Sequence, residues 1–233
     1  MIKFSEIFES NFLKTYNKEH HDLKNLDSRL QSHYDFNDKN TLSIQKYTGD
    51  HARHINHILW EKHKDNNYST FSNNTDYDYG KDIQNIDHNL SSFKTPHKLS
   101  LYSGTKRYDP RERMNDKGIL YHPAYLSTSI NKRMALNFGH KKTEWHNSGD
   151  KNEFGIFHHH ILKIHVPKDH PGAYIDHISR NKGEYEFLLP RGLNLKYRGT
   201  VPYRFTAKER NPVLSALNDP QVYHVNEHHM DIV

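Results

Sequence analysis

The sequence of 233 residues predicts an α+β fold in which a helical layer packs beside a mainly antiparallel sheet. Three observations carry that prediction. Apolar residues recur at helical spacing through the first third of the chain, and after Pro96 the pattern turns to short segments of period two. No internal repeat interrupts this order of helices first and strands later. A hydrophobic content of 33% and a mean hydropathy of -1.02 supply apolar material for one modest core. A single domain over residues 1–233 is therefore expected, with a helical part over 1–95 and a β-rich part over 97–233.

Phe4, Ile7, Phe8 and Phe12 mark the first helical stripe, and Leu23, Leu26, Leu30 and Tyr34 the second. A third helix starts near Thr48-Gly49-Asp50, with Thr48 or Asp50 as its cap, and carries Ile55, Ile58 and Leu59 on one face. Residues 64–80, rich in Asn, Asp, Ser and Tyr, read as a loop. Ile83, Ile86, Leu90 and Phe93 give one more helix before Pro96. Strands are expected at 99–102, 124–129, 161–166, 185–189, 194–197 and 221–225, with Pro167 stopping the third. A short helix over 131–138 ends at Gly139.

Composition narrows the function classes. No apolar run reaches the roughly 18 residues of a membrane span, so no membrane association is expected. The N-terminus lacks the basic start and apolar stretch of a secretory signal. With 0 cysteines there are no disulfides and no thiolate chemistry, which suits a reducing cytoplasm. The net charge of +5 favours anionic partners, but Lys+Arg 33 and Asp+Glu 28 are interspersed without a like-charge block, so nucleic-acid binding is not expected as the main role. The 21 histidines raise the charge further below about pH 6.5.

Two short motifs carry chemistry. Glu184-Tyr185-Glu186 opens a predicted strand, where alternation puts both carboxylates on one face about 6–7 Å apart. Such a pair can divide labour between stabilising an oxocarbenium-like sugar and moving a proton. By itself, Glu-x-Glu also fits a solvated strand edge. Ser127-Thr128-Ser129 ends another strand just before the short helix, where hydroxyls can bond a ribose, orient a carboxylate or cap the helix. His51, His54 and His57, and the run His158-His159-His160, have no Cys or carboxylate at a zinc spacing, so no metal site is expected.

The order Leu101-Tyr102-Ser103-Gly104, then Tyr125-Leu126-Ser127-Thr128-Ser129 with Ala135 and Phe138, then Gly183-Glu184-Tyr185-Glu186-Phe187-Leu188-Leu189-Pro190-Arg191-Gly192 resembles the Arg–Ser–Glu class of mono-ADP-ribosyltransferases. That class includes clostridial binary-toxin and exoenzyme domains and transferases of tailed phages. Tyr47-Thr48-Gly49 with Ile55-Asn56 and Leu59 is similar to its NAD-contacting helix, so the resemblance runs over about residues 44–200. It implies a two-sheet transferase core that moves ADP-ribose from NAD+ to an arginine on a host protein, releasing nicotinamide without a metal. RNA ends also remain open as acceptors. Water as acceptor would make the chain an NAD glycohydrolase, and loss of turnover an NAD-binding virion or interaction protein.

By the same resemblance Glu186 bonds the ribose 2′-hydroxyl, Glu184 is its partner in transfer to arginine, and Ser127 supports Glu186. Gly104 holds the carboxamide, Phe138 lies near nicotinamide, Tyr47 and Asn56 meet NAD, and Thr128 and Ser129 flank it. His177 to Gly183 forms the loop presenting the acceptor. Ser103 stands where the class has an arginine on the diphosphate; Arg107 is the expected substitute, with Lys106, Arg111 and Arg113 close by. Phe4 to Ser10 resembles the leaders of tailed-phage virion proteins, with Ile7-Phe8-Glu9 fitting a capsid-protease cut after Glu9 and delivery into the host cytoplasm.

Overall fold

A computed structural model describes residues 22–34, 36, 38–65, 79–105, 109–138, 143–146, 154–206 and 222–233. The Phe4 to Phe12 stripe and the Glu9 cleavage sequence lie outside the described residues. The helical layer comprises α1 over residues 22–33, α2 Asp38–Lys46, a π-helical turn Tyr47–His51, α3 Ala52–Asp65 and α4 Tyr79–Ser92. The residues that set the helical period are the ones buried: Leu30 and Tyr34, then Ile55, Ile58 and Leu59, then Ile83, Ile86 and Leu90. The sequence pattern gives no signal for α2, because its two apolar residues diverge, Ile44 at 0% exposure and Leu42 at 53%. Of the stretch expected as a loop, Asp65 and its neighbour belong to α3 and Tyr79 begins α4, while 66–78 lie outside the described residues.

The strands are β1 Leu99–Thr105, β2 Ile119–His122, β3 Leu126–Ser129, β4 Thr143–His146, β5 Phe154–Val166, β6 Ala173–Tyr174, β7 Glu186–Leu189, β8 Leu193–Thr206 and β9 Val222–Ile232. They pair in the order β2-β8-β9-β5-β1-β3-β7-β6, with β4 added beside β5. Every pairing is antiparallel except β5 with β9. The α+β expectation holds; the described strands form one continuous sheet whose two halves meet between β1 and β3 at one register pair, Tyr102↔Ser129. Helix α5 Lys132–Phe138 and a 3-10 turn Pro110–Arg113 complete the described elements.

Strand alternation sorts the core. Leu162 joins the large cluster beneath α1 to α4, whereas its neighbour Ile161 joins Leu136 of α5 and Val225 on the other face. The last two strands run much longer than period two suggested, and a bulge between Tyr197 and Gly199 bends β8, where Gly199 at φ +152 takes a conformation that L side chains rarely adopt.

Candidate active site

The junction between the two halves of the sheet opens into a cavity of about 360 Å³. One wall is the start of the α3 region, with Tyr47, Thr48, Gly49, Ala52 and Asn56; the floor is Tyr102, Ser103 and Gly104 of β1 with Ser127 of β3. Glu184, Glu186 and Asn181 complete the lining. Residues from four separate segments of the sequence thus meet at one place.

Glu186 begins β7 opposite Ser129 and is only 5% exposed. Register sets its partner: Ser127, 59 residues earlier, donates its hydroxyl to Glu186 Oε1 at 2.5 Å. Burial pushes the Glu186 carboxyl up to about 7; the Ser127 bond opposes this, the charges of Glu184 and Asp176 add to it, and a bond from Ser179 again opposes it. A carboxylate held beside a cavity with a pKa near neutrality is poised to meet developing positive charge.

Glu184 reaches the cavity by a route that strand alternation does not describe. The strand starts at Glu186, and Tyr185 before it has φ 54, the left-handed region that bulky residues seldom occupy. A turn, instead of the pleat, directs Glu184, and burial followed by the Asp176 charge raises its carboxyl above the ordinary value. The cause of the turn is Asp176, which is buried and accepts the backbone N–H groups of Gly183 at 3.1 Å and Glu186 at 3.3 Å. Asp176 ties both ends of the segment together. Nothing in its sequence context marks it out, since both contacts are to backbone.

That segment is also fastened to the α3 wall. Arg180 N–H donates to Thr48 Oγ1 at 3.1 Å, and Asn181 Nδ2 donates to the Thr48 carbonyl at 2.8 Å. Thr48 Oγ1 itself donates to the Gln45 carbonyl, so its hydroxyl serves the tertiary contact and not the cap expected of it. Asn56 Nδ2 donates to the Tyr47 hydroxyl at 3.0 Å, and burial drives that phenol well above its ordinary value. Asn56 Oδ1 is buried with no hydrogen-bond partner among the described residues, leaving an acceptor at the cavity wall.

The remaining expected residues divide. Ser103 and Gly104 lie on the floor, and Ser103 Oγ donates across the sheet junction to the Ser127 carbonyl at 3.0 Å. Thr128 and Ser129 line the cavity, yet their hydroxyls are turned to the backbone: Thr128 donates to Phe187 O at 2.6 Å and Ser129 to Glu184 O at 2.7 Å. Ser129 Oγ also accepts from Asn131 N–H, and Asn131 Oδ1 from Arg133 N–H, so the α5 start is capped from these residues. Phe138 ends α5, but its side chain, like Arg107 and Lys106, lies outside the described residues. Arg111 is bonded through its Nε to both carboxylate oxygens of Asp109, at 3.0 and 2.9 Å.

Among the described residues Asp109, His160 and His228 form one cluster of metal-ligating type. They satisfy one another and their neighbours: His160 Nδ1 and His228 Nε2 are 2.9 Å apart, His228 Nδ1 meets Thr200 Oγ1 at 2.9 Å, and Arg111 engages both Asp109 oxygens. Burial pushes the His228 imidazole down to about 4. Of the helical histidines, His51 lies 3.5 Å from Asp82, and the His51 and His54 rings pack on Tyr79.

Residues 13–218 match the family described as ADP-ribosyltransferase exoenzyme. The NAD(+)–arginine ADP-ribosyltransferase EFV of Enterococcus faecalis is 36% identical over 115 residues, 49% of this chain and 20% of that protein. This chain therefore spans about a fifth of that relative's length. Plx2a, an ADP-ribosyltransferase toxin from Paenibacillus larvae, superposes with a TM-score of 0.56 at 17% identity over 96% of both chains. An ADP-ribosyltransferase from Clostridium botulinum does so with a TM-score of 0.55 at 19% identity over 90% of this chain and 95% of that one.

Proposed function

This chain belongs to the ADP-ribosyltransferase exoenzyme family, and from that premise we propose that it transfers ADP-ribose from NAD+ to an arginine acceptor, releasing nicotinamide. The observation that carries the reading is the buried Glu186 carboxylate, bonded to Ser127 and facing a cavity beside Glu184. The name of the Enterococcus faecalis relative supports arginine as the acceptor.

In the proposed reaction the bond between the ribose anomeric carbon and nicotinamide breaks, nicotinamide leaves with the bonding electrons, and the sugar becomes oxocarbenium-like. Glu186 accepts a hydrogen bond from the ribose 2′-hydroxyl and sets negative charge against that cation. Ser127 fixes the rotamer of Glu186. Glu184 takes a guanidinium proton as the arginine nitrogen forms the new bond. Asn56 Oδ1 is the buried acceptor available to an amide or hydroxyl of NAD+, with Tyr47 behind it, and Gly104 lets the ligand approach the β1 backbone. Ser103, Thr128 and Ser129 shape the cavity lining. The whole chain acts as one transferase domain.

The test is incubation with labelled NAD+, using agmatine as a small arginine-like acceptor and a host lysate as the macromolecular one. The expected result is nicotinamide release and a labelled guanidinium adduct, with mass spectrometry assigning the modified arginines. Free ADP-ribose with no adduct would refute arginine transfer.

A further inference from the structure

Resting on the reading of this cavity as an NAD+ site, the charges around it pose a problem that the sequence motif leaves unsolved. NAD+ carries two ionised phosphates. The cavity lining contains two carboxylates, Glu184 and Glu186, and no lysine or arginine among the described residues. Glu186 and Glu184 suit the cationic end of the substrate, but no positive charge on the described lining matches its diphosphate.

Among the described residues, Arg180 has a side chain that reaches over that lining. Arg180 belongs to the segment pinned by Asp176, and its backbone N–H is held by Thr48, whose neighbour Gly49 forms part of the cavity wall. The arginine side chain crosses directly over Gly49: a Cβ at that position would stand 2.9 Å from Arg180 Cδ and 3.3 Å from Nη1. The absence of a side chain at Gly49 is what lets the guanidinium lie at the rim. Arg180 is exposed and takes part in none of the ion pairs among the described residues, in contrast to Arg111, Arg191 and Arg198, which are bound to Asp109, Asp87 and Asp231. Its main chain is anchored while its charge remains uncommitted.

We propose that Arg180 is the diphosphate anchor of this site, reaching the substrate from the segment before β7 and not from β1. The planar fork suits a phosphate pair, and its position over Gly49 places it beside the α3 wall. The same segment that carries Glu184 would then also read the donor, so that binding NAD+ orders the residues that meet the acceptor.

Steady-state nicotinamide release by wild type, Arg180→Ala and Arg180→Lys tests this, together with binding of ADP-ribose, which keeps both phosphates, and of nicotinamide, which has none. Arg180→Ala should raise KM for NAD+ and Kd for ADP-ribose about tenfold, equivalent to about 1.4 kcal/mol, with kcat and nicotinamide affinity little changed. Arg180→Lys should recover part of the loss. Unchanged melting of the variants excludes a folding effect. Overturning results are an Arg180→Ala protein with wild-type KM and ADP-ribose affinity, or one that loses only transfer to agmatine, which would make Arg180 an acceptor contact. A wild type that binds NAD+ without releasing nicotinamide defeats the activity reading, and the ADP-ribose titration then still decides the role of Arg180.

Discussion

Glu186 and Glu227 are both 5% exposed, on β7 and β9, and the difference between them lies in the company each keeps. Glu227 is neutralised: Lys132 Nζ approaches at 2.5 Å, His229 Nε2 at 3.0 Å and Lys163 Nζ at 3.9 Å. Glu186 has hydroxyl partners and two neighbouring carboxylates, and it faces a cavity. A buried carboxylate surrounded by cations ties strands and α5 together, whereas one surrounded by acids is available for a cationic transition state. Burial alone distinguishes neither.

The largest effect expected from this contrast is on turnover. Glu186→Gln should lower nicotinamide release by on the order of 10²–10³ or more while leaving the fold intact, because the amide supplies no negative charge. Glu227→Gln should do the reverse, sparing turnover and lowering stability by about 1–2 kcal/mol, since Lys132 and Lys163 keep part of their hydration when their partner is lost. Paired kinetic and thermal-melting measurements check both, and a Glu227→Gln variant as inactive as Glu186→Gln would erase the distinction.

Glu184→Gln is expected next in size. Transfer to agmatine should fall more than NAD+ hydrolysis, and the pH at which hydrolysis reaches half its maximum should move down, because a like charge that raises the Glu186 pKa is gone. Ser127→Ala should move that midpoint up, since its bond favours the charged form, and slow the reaction about tenfold by freeing the Glu186 rotamer. Rate profiles of the two variants, displaced to opposite sides of wild type, are the readout.

The smallest effects concern pH itself. Hydrolysis by wild type should rise as pH passes through about 7, where Glu186 ionises in the folded protein. For stability the sign follows from linkage: between the ordinary carboxylate value of 4.5 and about 7 the folded chain retains a proton that the unfolded chain has released. This group therefore favours folding below that window and loses its contribution as pH rises through it. Glu186→Gln should flatten that part of the melting-temperature profile, and an identical slope in both proteins would argue against a raised pKa.

Where one face of an element is buried and the other wet, the sequence determined the outcome. Leu30 and Tyr34, Ile55 and Leu59, and Ile83, Ile86 and Leu90 report their helices because burial imposes a period of 3.6, and Leu162 and Ile164 report β5 because it imposes a period of 2. The ordered motifs likewise named Glu186, Glu184 and Ser127 together, and the structure brings all three to one cavity. Tertiary structure decided how they meet. Helix α2 has no apolar stripe to betray it, and a left-handed Tyr185, held by Asp176 through two backbone N–H groups, directs Glu184 where a regular strand was expected. Backbone contacts leave no side-chain pattern to read. The 2.5 Å bond between Ser127 and Glu186 depends on the register of β3 with β7, which brings together residues 59 positions apart. No sequence motif singles out Arg180, which takes its place only because the chain folds it over Gly49. Local period is written in consecutive residues; the charge that surrounds a buried carboxylate is set by which distant segments pack against it.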